Sequence, residues 1–331
     1  MADKKLRIGW IVPTVGTFGA VREMVEVSNE LVLRGHTVTI YHPEGTPCKW
    51  LRCLALCKKL QQVRQDRLDI LIGIVDWKTE LYQDLLAAKA THKAICLLGF
   101  EPTTQMAEAL RGEREAEDRA QKIILDAMQR KFLILTDSSW QIEWMQQNVG
   151  YPAGPSFGGI NLRMFTPLHK FDTDKTIKII YSGDPRERKG TDTVKKAIEI
   201  IKEYSFSQVD FDFYWGKRYN QDQLVAFIQR ADIFLDGHRR AGWCNPVAEA
   251  IACGVVPVCT RIGANQDFAL HEETALLVNV DDAEAMANEA VRLIMDRDLR
   301  VRLRKNGLLQ IQKFSYAKIA KNLETVLLNL S

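Results

Sequence analysis

Short apolar runs alternate with segments of helical periodicity along the chain. The run from Leu6 to Val12 predicts a buried strand, and turn residues from Pro13 to Gly19 end it. Apolar positions then recur at helical spacing as far as Gly35, a typical helix C-cap, and Val38–Tyr41 predicts a second strand. A strand, a helix and a strand joined by short connections form a βαβ unit, in which the two strands are parallel.

The same alternation continues through both halves of the chain. It predicts strands at Asp69–Val75, Lys93–Leu98, Phe132–Thr136, Ile177–Tyr181, Phe211–Trp215, Asp232–Leu235 and Val255–Cys259. A Gly/Pro-rich passage at 150–159 predicts a domain junction. The last helix, from Phe314 to Leu330, has apolar residues on one face and must bury that face. We therefore expect two α/β domains with a ligand site in the cleft between them.

Composition narrows the class of protein. The 331 residues are 46% hydrophobic, enough for two packed domains. Lysine and arginine total 45 against 42 acids, and a net charge of +3 argues against a nucleic-acid partner. No uncharged apolar stretch approaches the roughly twenty residues of a membrane span. Seven cysteines without a secretory leader predict free thiols and a cytoplasmic location.

Two loops follow predicted strands and have the composition of phosphate-binding segments. Gly16 to Gly19 joins a strand to a helix, where backbone amides can approach an anion, although a simple tight turn explains the glycines equally well. Arg186, Arg188 and Lys189 lie in a loop after a strand of the second half. Fixed cations there would stabilise a diphosphate leaving group, and the alternative is a solvated charged turn.

The stretch from Ala241 to Gly254 is the most informative. A Gly/Asn/Pro loop opens a helix whose free amide donors suit an anion, and Glu249 is placed to accept hydrogen bonds from ribose hydroxyls. Stabilisation of the helix dipole would explain Glu249 but not the loop. His238 is followed by two arginines and is a candidate contact for a charged sugar or phosphate, with a solvent-facing loop as the favoured alternative.

The segment 49–67 is basic and contains regularly spaced apolar residues. A basic amphipathic helix would allow peripheral contact with an anionic membrane, whereas an ordinary solvated helix face is the favoured interpretation. Cys48, Cys53 and Cys57 lack the paired spacing of a zinc site, so packed thiols and no metal are expected.

Residues Asn245–Val258 closely resemble the donor-site stretch of retaining glycosyltransferases of the GT-B fold, group-one or family-four type. Passages at 16–19, 159–167 and 183–190 resemble the same family in the same order, and 314–316 is similar to its entry into the last helix. The resemblance implies an α/β GT-B architecture, with two Rossmann-like parallel-sheet domains facing a central cleft. The expected parts are an acceptor-side domain at 1–163, a nucleotide-sugar donor domain at 164–313 and a C-terminal helix at 314–331 that crosses back.

The activity implied is transfer of a sugar from a nucleotide-diphosphate sugar to an acceptor hydroxyl, with retained configuration and without a metal or a bound cofactor. A carbohydrate, lipid-linked or small-molecule acceptor would place the enzyme in polysaccharide or glycoconjugate biosynthesis, in the cytoplasm or at the inner membrane face. Two alternatives are a nucleotide-sugar-binding or glycan-binding GT-B protein without turnover and, less favoured, an NAD-dependent dehydrogenase. The latter lacks the full glycine fingerprint.

The resemblance also implies roles for individual residues. Lys189 with Arg186 would hold the diphosphate, and Glu249 would bind the ribose. The expected donor-binding residues are Gly16, Gly19, Gly183, Asn245, Pro246 and Val247. Glu101 and His238 are candidate acceptor or sugar contacts, and a solvated loop acid explains Glu101 equally well.

Two positions depart from the family pattern. Ala241 replaces a frequent glutamate, and Asp184 replaces a usual arginine. The first departure leaves the donor sugar open, and these two substitutions are what support the alternative without turnover.

Overall fold

A computed structural model describes residues 4–74, 81–97, 103–116, 118–168 and 176–330. The chain forms two compact units, one of residues 1–158 with 316–331 and the other of residues 159–315. These limits lie a few residues from the sequence-based ones at 163 and 313. Each unit is an α/β structure around its own parallel sheet.

The first unit contains a six-stranded sheet in which all neighbouring strands are parallel. The strands are β1 (Arg7–Ile11), β2 (Thr37–His42), β3 (Leu56–Lys59), β4 (Leu68–Ile74), β5 (Ala90–Leu97) and β6 (Leu133–Thr136). Their order, β3-β2-β1-β4-β5-β6, is that of the classic dinucleotide-binding fold. The helices are α1 (Gly19–Leu33), α2 (Leu81–Ala87), α3 (Thr104–Arg111), α4 (Arg119–Gln129) and α5 (Ser139–Trp144).

The second unit contains a five-stranded parallel sheet in the order β11-β10-β9-β7-β8. Its strands are β7 (Ile177–Tyr181), β8 (Val209–Phe213), β9 (Ile233–Asp236), β10 (Val256–Thr260) and β11 (Leu276–Val278). The helices are α6 (Thr191–Glu203), α7 (Gln221–Ile228), α8 (Asn245–Ala252), α9 (Ala283–Met295) and α10 (Arg297–Ile311). The chain adds β8 on one side of β7 and β9 on the other, so the topological switch point lies between β7 and β9.

The last helix, α11 (Tyr316–Leu330), packs against α1 of the first unit. Its buried residues Ile319, Leu323 and Leu327 share one hydrophobic cluster with the buried face of α1. The apolar periodicity of this segment therefore reflects packing inside the first unit. Among the described residues, no helix combines the length and the apolar character that crossing a bilayer requires.

The segment 49–67 is not an amphipathic helix, and this expectation was wrong. It contains the edge strand β3 and a 3₁₀ turn at Leu60–Arg64. The Trp50 indole N–H donates to the carbonyl oxygens of Val15 and Gly16, at 3.1 and 3.0 Å. Leu51 and Val63 are buried, so apolar residues of the segment serve the core and do not form a helix face for a membrane.

Candidate active site

Two loops meet in backbone contact at the switch point of the second sheet. Gly190, after β7, has φ +56°, and a Cβ built on it would lie 1.8 Å from the carbonyl oxygen of Gly237, after β9. A Cβ on Gly237 would in turn lie 2.4 Å from the carbonyl oxygen of Gly190. Because neither position has room for a side chain, the two glycines bring the neighbouring Lys189 and His238 together.

Lys189, His238 and Asp236 form a continuous chain of polar contacts. Lys189 Nζ lies 2.6 Å from His238 Nε2, and His238 Nδ1 lies 2.7 Å from Asp236 Oδ1. The side chains of His238 and Asp236 are only 1% and 3% exposed. An ionised carboxylate can only accept, so Nδ1 carries the imidazole hydrogen and Nε2 accepts from the lysine ammonium.

The charges in this chain of contacts depend on one another. Burial lowers the pKa of Lys189, the positive charges of Arg188 and Arg186 lower it further, and the negative charge of Asp236 opposes them. Burial alone would raise the pKa of Asp236, but the hydrogen bonds that it accepts from His238 and the charge of Lys189 hold that pKa below its ordinary value. The Asp236 carboxylate is thus the buried counter-charge of the lysine.

Cys244 completes a buried group of three residues that are close enough together to be considered for a metal ion. Its Sγ lies 3.7 Å from Asp236 Oδ2 and 3.7 Å from His238 Nδ1. Ligands of tetrahedral zinc at about 2.0–2.1 Å lie about 3.3 Å apart, whereas Nδ1 and Oδ1 are at the shorter distance of a hydrogen bond. Burial also raises the pKa of the Cys244 thiol well above its usual range, so the group fits a hydrogen-bond network better than a metal centre.

Arg186 contacts Asp184, one of the two residues that depart from the family pattern. Its Nε lies 3.0 Å from both carboxylate oxygens of Asp184, and its Nη2 makes a further short contact with the same group. The guanidinium carbon lies 5.7 Å from the ring centroid of Trp215. Asp184 is buried, while half of the Arg186 side chain is exposed. A buried carboxylate therefore already offsets the charge of this arginine.

Two other cations near this site also face acidic groups of the chain. Arg239 lies 2.8 Å from Asp192 and 2.8 Å from Asp281, and Arg240 lies 3.4 Å from Glu187. Lys189 differs because the imidazole of His238 stands between it and the Asp236 carboxylate.

The helix α8 begins directly after this loop. Asn245 and Pro246 form its half-buried first turn, and Val247 is fully buried. Glu249 follows one turn into the helix and is 4% exposed. Gly183, after β7, has φ +78°, and a Cβ there would lie 2.7 Å from the Phe213 ring. Of the predicted donor residues of the second unit, Gly183, Arg186 and Lys189 thus lie in the loop at the carboxyl end of β7. Asn245, Pro246, Val247 and Glu249 lie on α8.

In the first unit, the loop from Gly16 to Gly19 lies between β1 and α1. Gly19 is the first residue of α1, and the carbonyl oxygen of Gly16 accepts from the Trp50 indole. The preceding Phe18 is 57% exposed. Glu101, the other predicted contact, lies outside the described residues.

One stretch of the second unit matches a known protein family. Residues 210–310 match the family model of Glycosyl transferases group 1, a stretch that contains the β9 loop and α8. In fold, the chain is similar to sucrose-phosphate synthase from Thermosynechococcus elongatus, with a TM-score of 0.74, 16% identity and coverage of 98% of this chain and 99% of that one. The Anabaena protein HepE, solved with UDP-glucose, gives a TM-score of 0.66 at 12% identity, covering 98% and 100%. The fold is that of the GT-B glycosyltransferases, and residues 210–310 of the second unit match the group 1 family model.

Among curated relatives, N-acetyl-alpha-D-glucosaminyl L-malate synthase of Bacillus anthracis is 26% identical over 107 residues, which are 32% of this chain and 28% of that protein. D-inositol 3-phosphate glycosyltransferase of Corynebacterium urealyticum is 26% identical over 150 residues, 45% of this chain and 34% of that one. The matches thus span only about a third of these relatives. They do not favour a dehydrogenase or a protein without turnover.

Sequence reasoning missed Asp236 as a site residue. The signal was an acid that directly ends the apolar run Ile233–Asp236, and polar residues at that end of a parallel strand face the usual ligand crevice.

Proposed function

We propose that the protein is a glycosyltransferase that transfers a sugar from a nucleotide-diphosphate sugar to an acceptor hydroxyl. The observation that carries the proposal is the convergence of Lys189, the β9 loop and the start of α8 within the unit that matches the group 1 family model. A cationic group, a helix N-terminus and a carboxylate are the chemistry that a nucleoside diphosphate needs.

In this mechanism the Lys189 ammonium neutralises charge that develops on the diphosphate as the bond to the sugar breaks. Arg186 assists, and Glu249 accepts hydrogen bonds from the ribose. We further propose a front-side path with retained configuration, in which the leaving phosphate helps to deprotonate the acceptor, and no metal or bound cofactor takes part. The acceptor is a carbohydrate, a lipid-linked or a small molecule, and the seven free cysteines fit a cytoplasmic location.

Donor binding tests the proposal directly. Titration with UDP, GDP, ADP and dTDP and their sugars identifies the nucleotide by the stabilisation that each gives. We expect Lys189→Ala to weaken binding of the preferred nucleotide by about 10-fold to 100-fold, because a hydrogen bond to a charged group is lost. Glu249→Ala should weaken binding of the nucleoside diphosphate more than that of inorganic pyrophosphate, which lacks ribose.

Lys202→Ala is the matched control, since Lys202 is an exposed lysine on α6 that pairs with Glu199. Unchanged affinity in both the Lys189 and the Glu249 variants would contradict the assignment. Release of nucleotide on addition of acceptor separates a transferase from a binding protein, and NMR of the anomeric proton of the product reports retention. Activity that survives EDTA supports the metal-free path.

A further inference from the structure

We propose that the buried Asp236–His238 pair positions the Lys189 ammonium for the donor diphosphate and keeps that lysine charged. The inference rests on the proposed function, because it takes Lys189 to be the diphosphate ligand. It assigns a positioning role to His238, which sequence reasoning treated as a candidate sugar or phosphate contact while favouring a solvent-facing loop. The burial of His238 shows that the solvent-facing loop was wrong. A positioning role also falls to Asp236, which sequence reasoning did not single out.

The first step of the argument is the direction of the hydrogen bonds. Asp236 fixes the hydrogen of His238 on Nδ1, so Nε2 has a lone pair aimed at Lys189 Nζ at 2.6 Å. An ammonium has three donors, and one of them is used here. Within the described parts of the chain Lys189 Nζ has no second hydrogen-bond partner, so the other two donors remain for an anion at the carboxyl ends of β7 and β9.

The second step is rigidity. A lysine side chain has four rotatable bonds and loses much conformational freedom when a ligand fixes it. Here the imidazole that holds the ammonium is itself fixed, because it is buried, is bonded to Asp236 and belongs to a loop whose carbonyl at His238 accepts from Thr260. The ordering of Lys189 is therefore complete before a ligand binds.

The third step is charge. The groups that act on Lys189 are the imidazole of His238, the carboxylate of Asp236, the thiol of Cys244 and the cations Arg186 and Arg188. Burial and the two arginines favour the neutral amine. Cys244 is a thiol, since burial raises its pKa, so Asp236 is the group of this set that favours the ammonium.

Two amide substitutions separate positioning from packing. The carbonyl oxygen of His238→Gln can replace Nε2 as acceptor for Lys189, whereas the shorter His238→Asn can replace only the donor to Asp236. We expect His238→Asn to weaken binding of the preferred nucleotide, chosen from UDP, GDP, ADP and dTDP, by about 10-fold or more. His238→Gln should restore most of the loss. Equal affinities in two variants of similar thermal stability would overturn the proposal.

The Asp236→Asn variant supplies a readout in pH. Without the carboxylate, the pKa of Lys189 falls further, so the ammonium is lost at a lower pH. We expect nucleotide affinity to decline on the alkaline side at lower pH than in the wild type, measured by calorimetry from about pH 6.5 to about pH 9.5. Protonation of the nucleotide phosphates changes with pH in the same way for both proteins, so it does not contribute to the difference between the two profiles. Superimposable pH profiles would contradict the charge role of Asp236.

His36→Gln is the matched control. His36 is also a buried histidine bonded to a carboxylate, with Nε2 2.7 Å from Glu324 Oε1, but it lies in the first unit. It should change stability and leave nucleotide affinity within error. If Lys189→Ala weakens binding and His238→Asn does not, the positioning role fails while the proposed function stands. If Lys189→Ala itself has no effect, or no nucleotide binds, both fail.

Discussion

At the scale of single residues, Arg186 and Lys189 look equivalent in the sequence but differ in the structure, because Arg186 pairs with the buried Asp184. The buried carboxylate lies against the guanidinium, so a diphosphate gains less from this arginine than from Lys189. We expect Arg186→Ala to weaken nucleotide binding by less than about 10-fold, a smaller loss than in Lys189→Ala.

Calorimetric titration of both variants with the same nucleotide measures the difference, and Arg218→Ala is an arginine control in the β8–α7 loop. Equal losses at residues 186 and 189 would show that the Asp184 contact does not offset the Arg186 charge. Because the Arg186 side chain is half exposed, its effect on stability should stay small.

Lys189 and His238 were each predicted as site residues from the sequence, but the contact between them was not. They are 49 residues apart in the chain, and only the sheet order, which places β9 next to β7, makes them neighbours. The partner of Arg186 was equally hidden, because an aspartate two residues away can turn toward solvent or toward the arginine. The sequence could therefore predict which charged and polar residues belong to the site, but not which of them contact each other.

At the scale of elements, the contact of the β7 and β9 loops depends on glycine. A methyl group at Gly237 would overlap the carbonyl oxygen of Gly190 at 2.4 Å, and backbone cannot move as a side-chain end can. We expect Gly237→Ala to lower the free energy of unfolding of the second unit by about 2–4 kcal/mol and to weaken nucleotide binding as well.

Gly216→Ala is the control for this substitution, because a Cβ there meets nothing within 4 Å. Its φ of +80° costs only about 1 kcal/mol. Urea unfolding followed by hydrogen exchange in the second unit compares the two. A Gly237 variant no less stable than the Gly216 variant would mean that the loops can separate without cost.

Most strands were predicted within a few residues, among them the four-residue strands β6 and β9, but the short strands β3 and β11 were not. The strand β3 has four residues, two of them the lysines typical of a sheet edge, so its alternation could not be distinguished from helical spacing. The strand β11 has three residues and was missed for the same reason. These two segments become strands because β3 pairs with β2 and β11 pairs with β10.

At the scale of the whole molecule, two parallel sheets with their own switch points follow from the βαβ alternation. The strand orders differ between the units, and periodicity cannot give an order, because it records burial and not neighbours. The apolar face of the last helix predicted that this helix packs against another element, but did not identify that element. The partner, α1, lies about 300 residues earlier and is visible only in the fold.

The attachment of α11 to the first unit includes one carboxylate whose contribution depends on pH. Glu324 accepts from Arg34 Nε at 2.6 Å and lies 2.7 Å from His36 Nε2. Burial would raise its pKa, but these two partners outweigh burial and hold the pKa below its ordinary value. A carboxyl group with a lowered pKa in the folded state stabilises that state above its unfolded pKa, and this stabilisation is lost as the pH falls through the folded pKa.

We therefore expect Glu324→Gln to destabilise the first unit by about 1 kcal/mol at neutral pH, with a difference from wild type that shrinks as the pH falls below about 4. Hydrogen exchange in α1 and α11 is the measurement, because two units need not unfold together. Lys321→Ala, an exposed change on the same helix, should have little effect at any pH. A Glu324→Gln difference that stays constant down to about pH 3 would show that shape, and not the carboxylate charge, holds α11 in place.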